Sequence, residues 1–353
     1  MTESAPASIT PRQSTVAVLA VVFLISIGAS VFAMLPLSAG SALVLAYLWM
    51  AWPGVMIARR LYGSQRGQWL PSLLVGPAWG FAATSLVVLA LWIAGVRATF
   101  VLALAPLGAA LLVVPCRWLR GALVAPAYDR RDVAAVLLVL LIVPAVVARP
   151  YARVGEMRPE GKAYRAYFIA DFEWAMAVAE EISKGDIPPK NPFLAGDQLH
   201  YYWLASLASA IEHRTAPGIA LEPLLLTNAL LLDLAFVAFF YAFVRQFVRS
   251  ATAAAIGCTF AILFTSFEGI QQTYVFWQRG IPLAGLRDLN IDGISNWKFG
   301  SLKVDGLQRL LLYQPHHATS WALSLSALLV LQQARDASRV AINLLAEFLL
   351  DQG

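Results

Sequence analysis

Residues 13–58 read QSTVAVLAVVFLISIGASVFAMLPLSAGSALVLAYLWMAWPGVMIA, without one Asp, Glu, Lys or Arg. A bilayer-crossing helix needs about 20 apolar residues, so this run is long enough for two. The segment Pro36-Leu-Ser-Ala-Gly40 marks the break between them. Working outward, residues 67–96 and 98–116 are equally free of charge. The whole chain has 353 residues, 59% hydrophobic and 13% charged, with a mean hydropathy of +0.67. A soluble domain carries about 25% charge, so a water-soluble globule is excluded and an all-α, polytopic membrane protein is expected. A β-barrel would show alternating segments of about 10 residues instead. Cys116 and Cys258 sit at or inside apolar runs and form neither a CxxC pair nor a disulfide framework. The net charge of +5 does not point to nucleic acid, because the short-loop arginines flank apolar runs; the partner is the lipid bilayer. No cleaved signal peptide is expected, since a second apolar stretch follows the first at once.

Spans are expected at about 14–36, 39–58, 70–95, 99–116 and 132–149, which makes residues 1–149 an N-terminal five-helix region. Arg59, Arg60 and Arg66 fall between spans two and three, and Arg117, Arg120, Arg130 and Arg131 between four and five; Arg97 is the one charge in the alternate connections. By the positive-inside bias the N-terminus is expected in the cytoplasm, with the plasma membrane as host, and residues 150–198 emerge on the outer face. Residues 199–211 (LHYYWLASLASAI) are apolar but short of a span. If they crossed, Arg245, Arg249, Arg335 and Arg339 would face outward, so a re-entrant or interfacial helix is preferred over a short tilted span. Residues 150–219 then form a first outer region. Residues 220–353 form a C-terminal region with spans at 220–244, 250–267 and about 314–334, about eight in all, and a second outer loop at 268–312. The apolar stretch 340–350 reads either as a short terminal interfacial helix or as the start of something the sequence does not complete.

Within the first outer loop, residues 171–184 (DFEWAMAVAEEISK) place Phe172, Ala175, Met176, Ala179 and Ile182 at helical spacing. Gly185 ends this helix and Pro188-Pro189 prevents its resumption. It is expected to lie on the membrane surface, apolar side down. Asp171 at its start, taken alone, reads as an ordinary N-cap sooner than as a functional acid. Beyond it come Gly185-Asp186-Ile187-Pro188, an extended Pro/Asn segment to Gly196, and Asp197-Gln-Leu-His-Tyr-Tyr-Trp203.

This ordered set, over about residues 165–335, resembles the GT-C superfamily, membrane glycosyltransferases that use polyprenyl-phosphate-linked sugars. The His200-Tyr201-Tyr202-Trp203 run also resembles an uncharacterised multi-pass family with a Tyr-Tyr-Tyr signature, usually placed with that superfamily. The resemblance implies sugar transfer from a polyprenyl phosphate to an extracytoplasmic glycan, lipid or protein acceptor. It implies Asp171 as catalytic base and Asp197 as a second acid near the acceptor or a metal. A carboxylate is the group needed to take the proton of an attacking hydroxyl, and the leaving phosphate needs donors or positive charge. His316, at the loop-to-helix junction Tyr313-Gln-Pro-His-His317, is the third catalytic candidate. Any divalent metal ion would draw on Asp171, Asp197 and His316. Glu173, His200, Tyr201, Tyr202, Trp203, Glu268, Gln314 and His317 are substrate-binding candidates. Tyr201, Tyr202, Trp203, Trp277 and Trp297 offer rings to stack on sugars, or belong to an interfacial aromatic belt. Arg279, Arg287, Lys298, Lys303 and Arg309 supply basic charge to the second loop. A competing reading is a transporter or flippase centred on Asp233, an ionisable residue in the middle of a span. A third is a non-catalytic, truncated membrane protein.

Overall fold

In an apolar phase the backbone must satisfy its own polar groups, and a long uncharged run does this as an α-helix. The computed structural model describes residues 11–63, 69–117, 120–164, 170–263, 268–288, 307–313 and 315–350. The first helices are α1 (Pro11–Phe32), α2 (Leu37–Tyr62), α3 (Trp69–Ile93) and α4 (Ala98–Ala110), followed by α5 (Arg130–Leu140) and α6 (Ile142–Tyr151). The chain continues through β1 (Glu156–Arg158), β2 (Gly161–Ala163), α7 (Ala170–Lys184), α8 (Leu207–Thr215) and α9 (Leu221–Phe247). It closes with α10 (Ala251–Leu263), α11 (Glu268–Gln278), α12 (Leu310–Tyr313) and α13 (Pro315–Leu350). Each expected span has a helix within a few residues. Four are long and apolar enough to cross a membrane: α2, α3, the α5–α6 stretch Arg130–Tyr151, and α9. The helices at Val21–Phe32, Ala98–Val113 and Ala251–Leu263 are apolar but shorter.

Local chemistry sets the ends. After α3, the Gly95 N–H bonds Trp92 O and the Val96 N–H bonds Leu91 O, a Schellman closure with Gly95 at φ 75°. Asp129 caps α5 by accepting from the N–H groups of Arg131 and Asp132, and Asp132 returns a carboxylate oxygen to the Asp129 N–H.

The core sits around α9, whose apolar window is 83% buried against 33–44% for the other three long helices. At its C-terminal end Arg245 Nε donates to Asp132 Oδ1 over 2.6 Å and the Tyr241 hydroxyl donates to the same oxygen over 2.8 Å. The strap at 120–128 closes that end. Its Gly121 and Leu123 N–H groups bond the carbonyls of Arg60 and Leu61, and Val124 exchanges two hydrogen bonds with the Gln333 side chain. Helices α2 and α3 meet backbone to backbone, because a Cβ at Gly54 or Gly80 would lie 2.0 Å from main-chain atoms of the other helix. Small residues are the usual means of such approach where no water drives association. The Trp79 indole donates to Ser326 Oγ over 2.7 Å, joining α3 to α13.

Two expectations are corrected. Helix α7 does not lay its apolar side on a membrane: Phe172, Val178, Ala179 and Ile182 are at most 2% exposed. The last three share a second core with Leu207, Ala210 and Ile211 of α8 and with Val88, Trp92 and Val101. A helix face recognises any apolar surface, and here the neighbouring helices supply it. Residues 340–350 are not a separate helix either. They continue α13, since no Gly or Pro occurs between His316 and Leu350 to break it. Residues 204–215 form a single 3-10 turn and the nine-residue α8, too short to cross a bilayer.

Candidate functional site

Helix α7 presents Asp171 in its first turn and Trp174 one turn on, while Phe172 points into the core. Both line a cavity of about 100 Å³ whose walls include Tyr201, Tyr202, Ser209, Asn228 and His316. Residues from the first loop, α8, the N-terminal half of α9 and the start of α13 thus meet at one place. It is the end of α9 opposite Arg245, about 25 Å away along the helix axis.

A larger apolar groove of about 520 Å³ opens beside it between α3 and α13, lined by Phe81, Leu86, Leu204, Leu232, His317 and Leu323 among others. Phe81, Tyr202 and His316 line both spaces. From His316 to Leu323 the groove descends about 10 Å along α13. Its size falls within the range of ligand pockets.

His316 occupies the shared wall. Its Nε2 is buried and has no hydrogen-bond partner among the described residues, while its ring lies 4.8 Å from Tyr202 and 4.2 Å from His317. The Tyr201 hydroxyl donates to Tyr202 over 2.6 Å. Partial burial, the bond to Tyr201 and the charge of Asp171 push the Tyr202 phenol up to about 12, so it is a neutral hydroxyl at physiological pH.

Three groups of this site escape a reading from sequence. The Asn228 amide donates one hydrogen to Ser209 Oγ (2.7 Å) and the other to Glu212 Oε2 (2.9 Å). Its Oδ1 remains as the acceptor of a residue that lines the cavity. Burial pushes the Glu212 carboxyl up to about 7, against the opposing pull of Asn228. Asn228 falls inside the expected span 220–244, where a polar side chain was itself a signal. Glu212 looks like the polar end of an apolar run, and nothing in the sequence says that it is buried.

The other sequence candidates lie elsewhere. Asp197 is exposed in the loop before α8; its N–H bonds Leu194 O, and its carbonyl accepts from Asn191. Glu173 and His200 are exposed and Trp203 half-buried, all outside the cavity lining. Glu268 begins α11, but its side chain and all of Gln314, Trp297, Lys298 and Lys303 lie outside the described residues. Trp277 is 72% exposed. No described Lys or Arg lines either space. Among the described residues no three His, Cys, Asp or Glu side chains converge into a site for a metal ion. Asp233 is fully buried lower in α9, and both carboxyl oxygens lack partners among the described residues.

The arrangement combines a carboxylate, neutral hydroxyls and an imidazole in a small chamber of mixed polar and apolar lining that adjoins an apolar groove. Compared with known proteins, the chain matches no family model, no curated protein and no solved structure.

Proposed function

We propose that the chain is a membrane glycosyltransferase of the GT-C type, moving a sugar from a polyprenyl phosphate to an acceptor hydroxyl. The observation that carries this reading is the wall shared at His316: the chamber holding Asp171 opens beside an apolar groove suited to a prenyl chain. The acceptor oxygen attacks the anomeric carbon while Asp171 takes its proton. The bond from that carbon to the phosphate oxygen breaks, and the polyprenyl phosphate leaves with the electron pair. His316 and His317 line the groove beside the chamber and serve as donors for the phosphate oxygens, a use for the His316 Nε2 that has no partner among the described residues.

The proposal includes about eight crossings, with residues 204–215 re-entrant, the N-terminus in the cytoplasm and the chamber outside the plasma membrane. The gathering of Arg59, Arg60, Arg130, Arg131, Arg245 and Arg249 near the opposite end of the bundle supports that orientation.

A second reading, transport centred on Asp233, is favoured by one fact: a carboxyl in a span with no partner among the described residues is costly unless it serves a purpose. One assay separates the two. In membranes supplied with labelled polyprenyl-phosphate hexose, Asp171→Asn lowers transfer by about 10²–10⁴-fold, His316→Ala also lowers it, and Asp233→Asn leaves it intact. Undiminished transfer by Asp171→Asn ends the proposal, and loss of lipid flux in Asp233→Asn alone installs the second reading.

A further inference from the structure

We infer that the aromatic run beside the chamber is an acceptor subsite for a carbohydrate chain; this rests on the transferase reading and names its acceptor class. Phe193 stacks on Trp174 with ring centroids 5.2 Å apart and planes 11° apart. Trp174 meets Tyr201 edge to face at 5.7 Å and 87°. Tyr201 lies against Tyr202 at 3.9 Å, and Tyr202 leads to His316 at 4.8 Å. Rings from three separate stretches of chain therefore form one track that ends in the chamber.

The track lies at the protein surface. Phe193 is 67%, Tyr201 46% and Tyr202 53% exposed. It is also held in place. The loop bearing Phe193 is closed by a bridge between Lys190 and Gln198, and Asn191 Oδ1 accepts from the Phe193 N–H over 3.0 Å. Fixed rings lose little side-chain entropy on binding.

The chemistry selects the occupant. A pyranose has a flat C–H face and a rim of hydroxyls; the track offers ring faces and, alongside them, the bonded hydroxyl pair of Tyr201 and Tyr202. A lipid chain would gain nothing from those hydroxyls and already has the aliphatic groove on the other side of Tyr202 and His316. Trp174 and Asp171 are one turn apart on α7, which sets their Cβ atoms about 5–6 Å apart. A sugar resting on Tyr201 and Tyr202 lies beside the carboxylate, since both rings line the chamber with Asp171.

The test is direct binding. The purified full chain in detergent is titrated with a panel of neutral gluco-, galacto- and manno-tetrasaccharides, read by saturation-transfer NMR and tryptophan fluorescence. At least one panel member binds; Trp174→Leu and Phe193→Ala each weaken it at least tenfold, whereas Trp174→Tyr retains it. Phe193 is too exposed for its loss to unfold the protein, so its variant guards against a trivial result. Absence of binding to every panel member, or equal binding by Trp174→Leu and Phe193→Ala, overturns the subsite. Binding lost in these variants without any transfer activity keeps the subsite and removes the transferase. Transfer with an unchanged acceptor KM in the same variants keeps the transferase and removes the subsite.

Discussion

The Asn228 amide ties a hidden carboxyl to the chamber wall, and that carboxyl makes the fold sensitive to pH. Glu212 is held at about 7 by burial, above its ordinary 4.5, so the folded state favours the neutral acid. The stability linked to this preference is complete below about 4.5 and is lost as pH rises through about 7. Glu212→Gln keeps an acceptor for Asn228 and removes the titration. Its melting temperature therefore rises relative to the parent protein as pH goes from about 5 to about 8; a constant difference across that range would show that burial does not hold the Glu212 carboxyl above its unfolded value. Asp171 was legible as the first residue of an amphipathic helix. Glu212 was not, because burial depends on what packs over a residue, and that cover comes from distant helices.

Among the elements, α5 and α9 are joined by the Asp132–Arg245 pair, with 0% and 7% of the two side chains exposed. Removing one partner from a buried pair strands a charge and costs about 3–5 kcal/mol. Arg245→Met is accordingly expected to lower stability by that amount, and Asp132→Leu combined with Arg245→Met to recover much of it, as read by thermal melts in detergent. Equal losses in the single and double variants would mean that the pair is not coupled. The helix at 170–184 shows the limit of periodicity as a guide. Its apolar positions could be read from the sequence, and Phe172, Ala179 and Ile182 are buried. The surface that buries them could not, since a lipid layer and a bed of α8 side chains ask for the same apolar face. The close contact of α2 with α3 is similar: Gly76 and Gly80 are four apart in the chain, yet only packing reveals that backbone atoms of α2 lie where their Cβ atoms would be.

For the whole molecule, the two ends of α9 belong to two different environments. Asn228 faces the chamber and Arg245 closes the arginine-rich end, separated by nearly the thickness of a bilayer's hydrocarbon core of about 30 Å. In a background of Cys116→Ser, Phe193→Cys is expected to react with an impermeant maleimide added outside the cell, and Arg249→Cys only after the membrane is opened. Reaction of both from the same side would reject the proposed arrangement. The helical class of the chain and the places of its long apolar helices can be read from residue order alone, because uncharged runs, caps and Gly or Pro breaks act within a few residues; the run of α13 on to Leu350 and helix α11 within the second loop cannot. That Asp171, Asn228 and His316 share one chamber while Asp197 stays apart emerges from the folded chain alone. Such meetings depend on the packing of helices distant in the chain, and a short-range pattern carries no record of them.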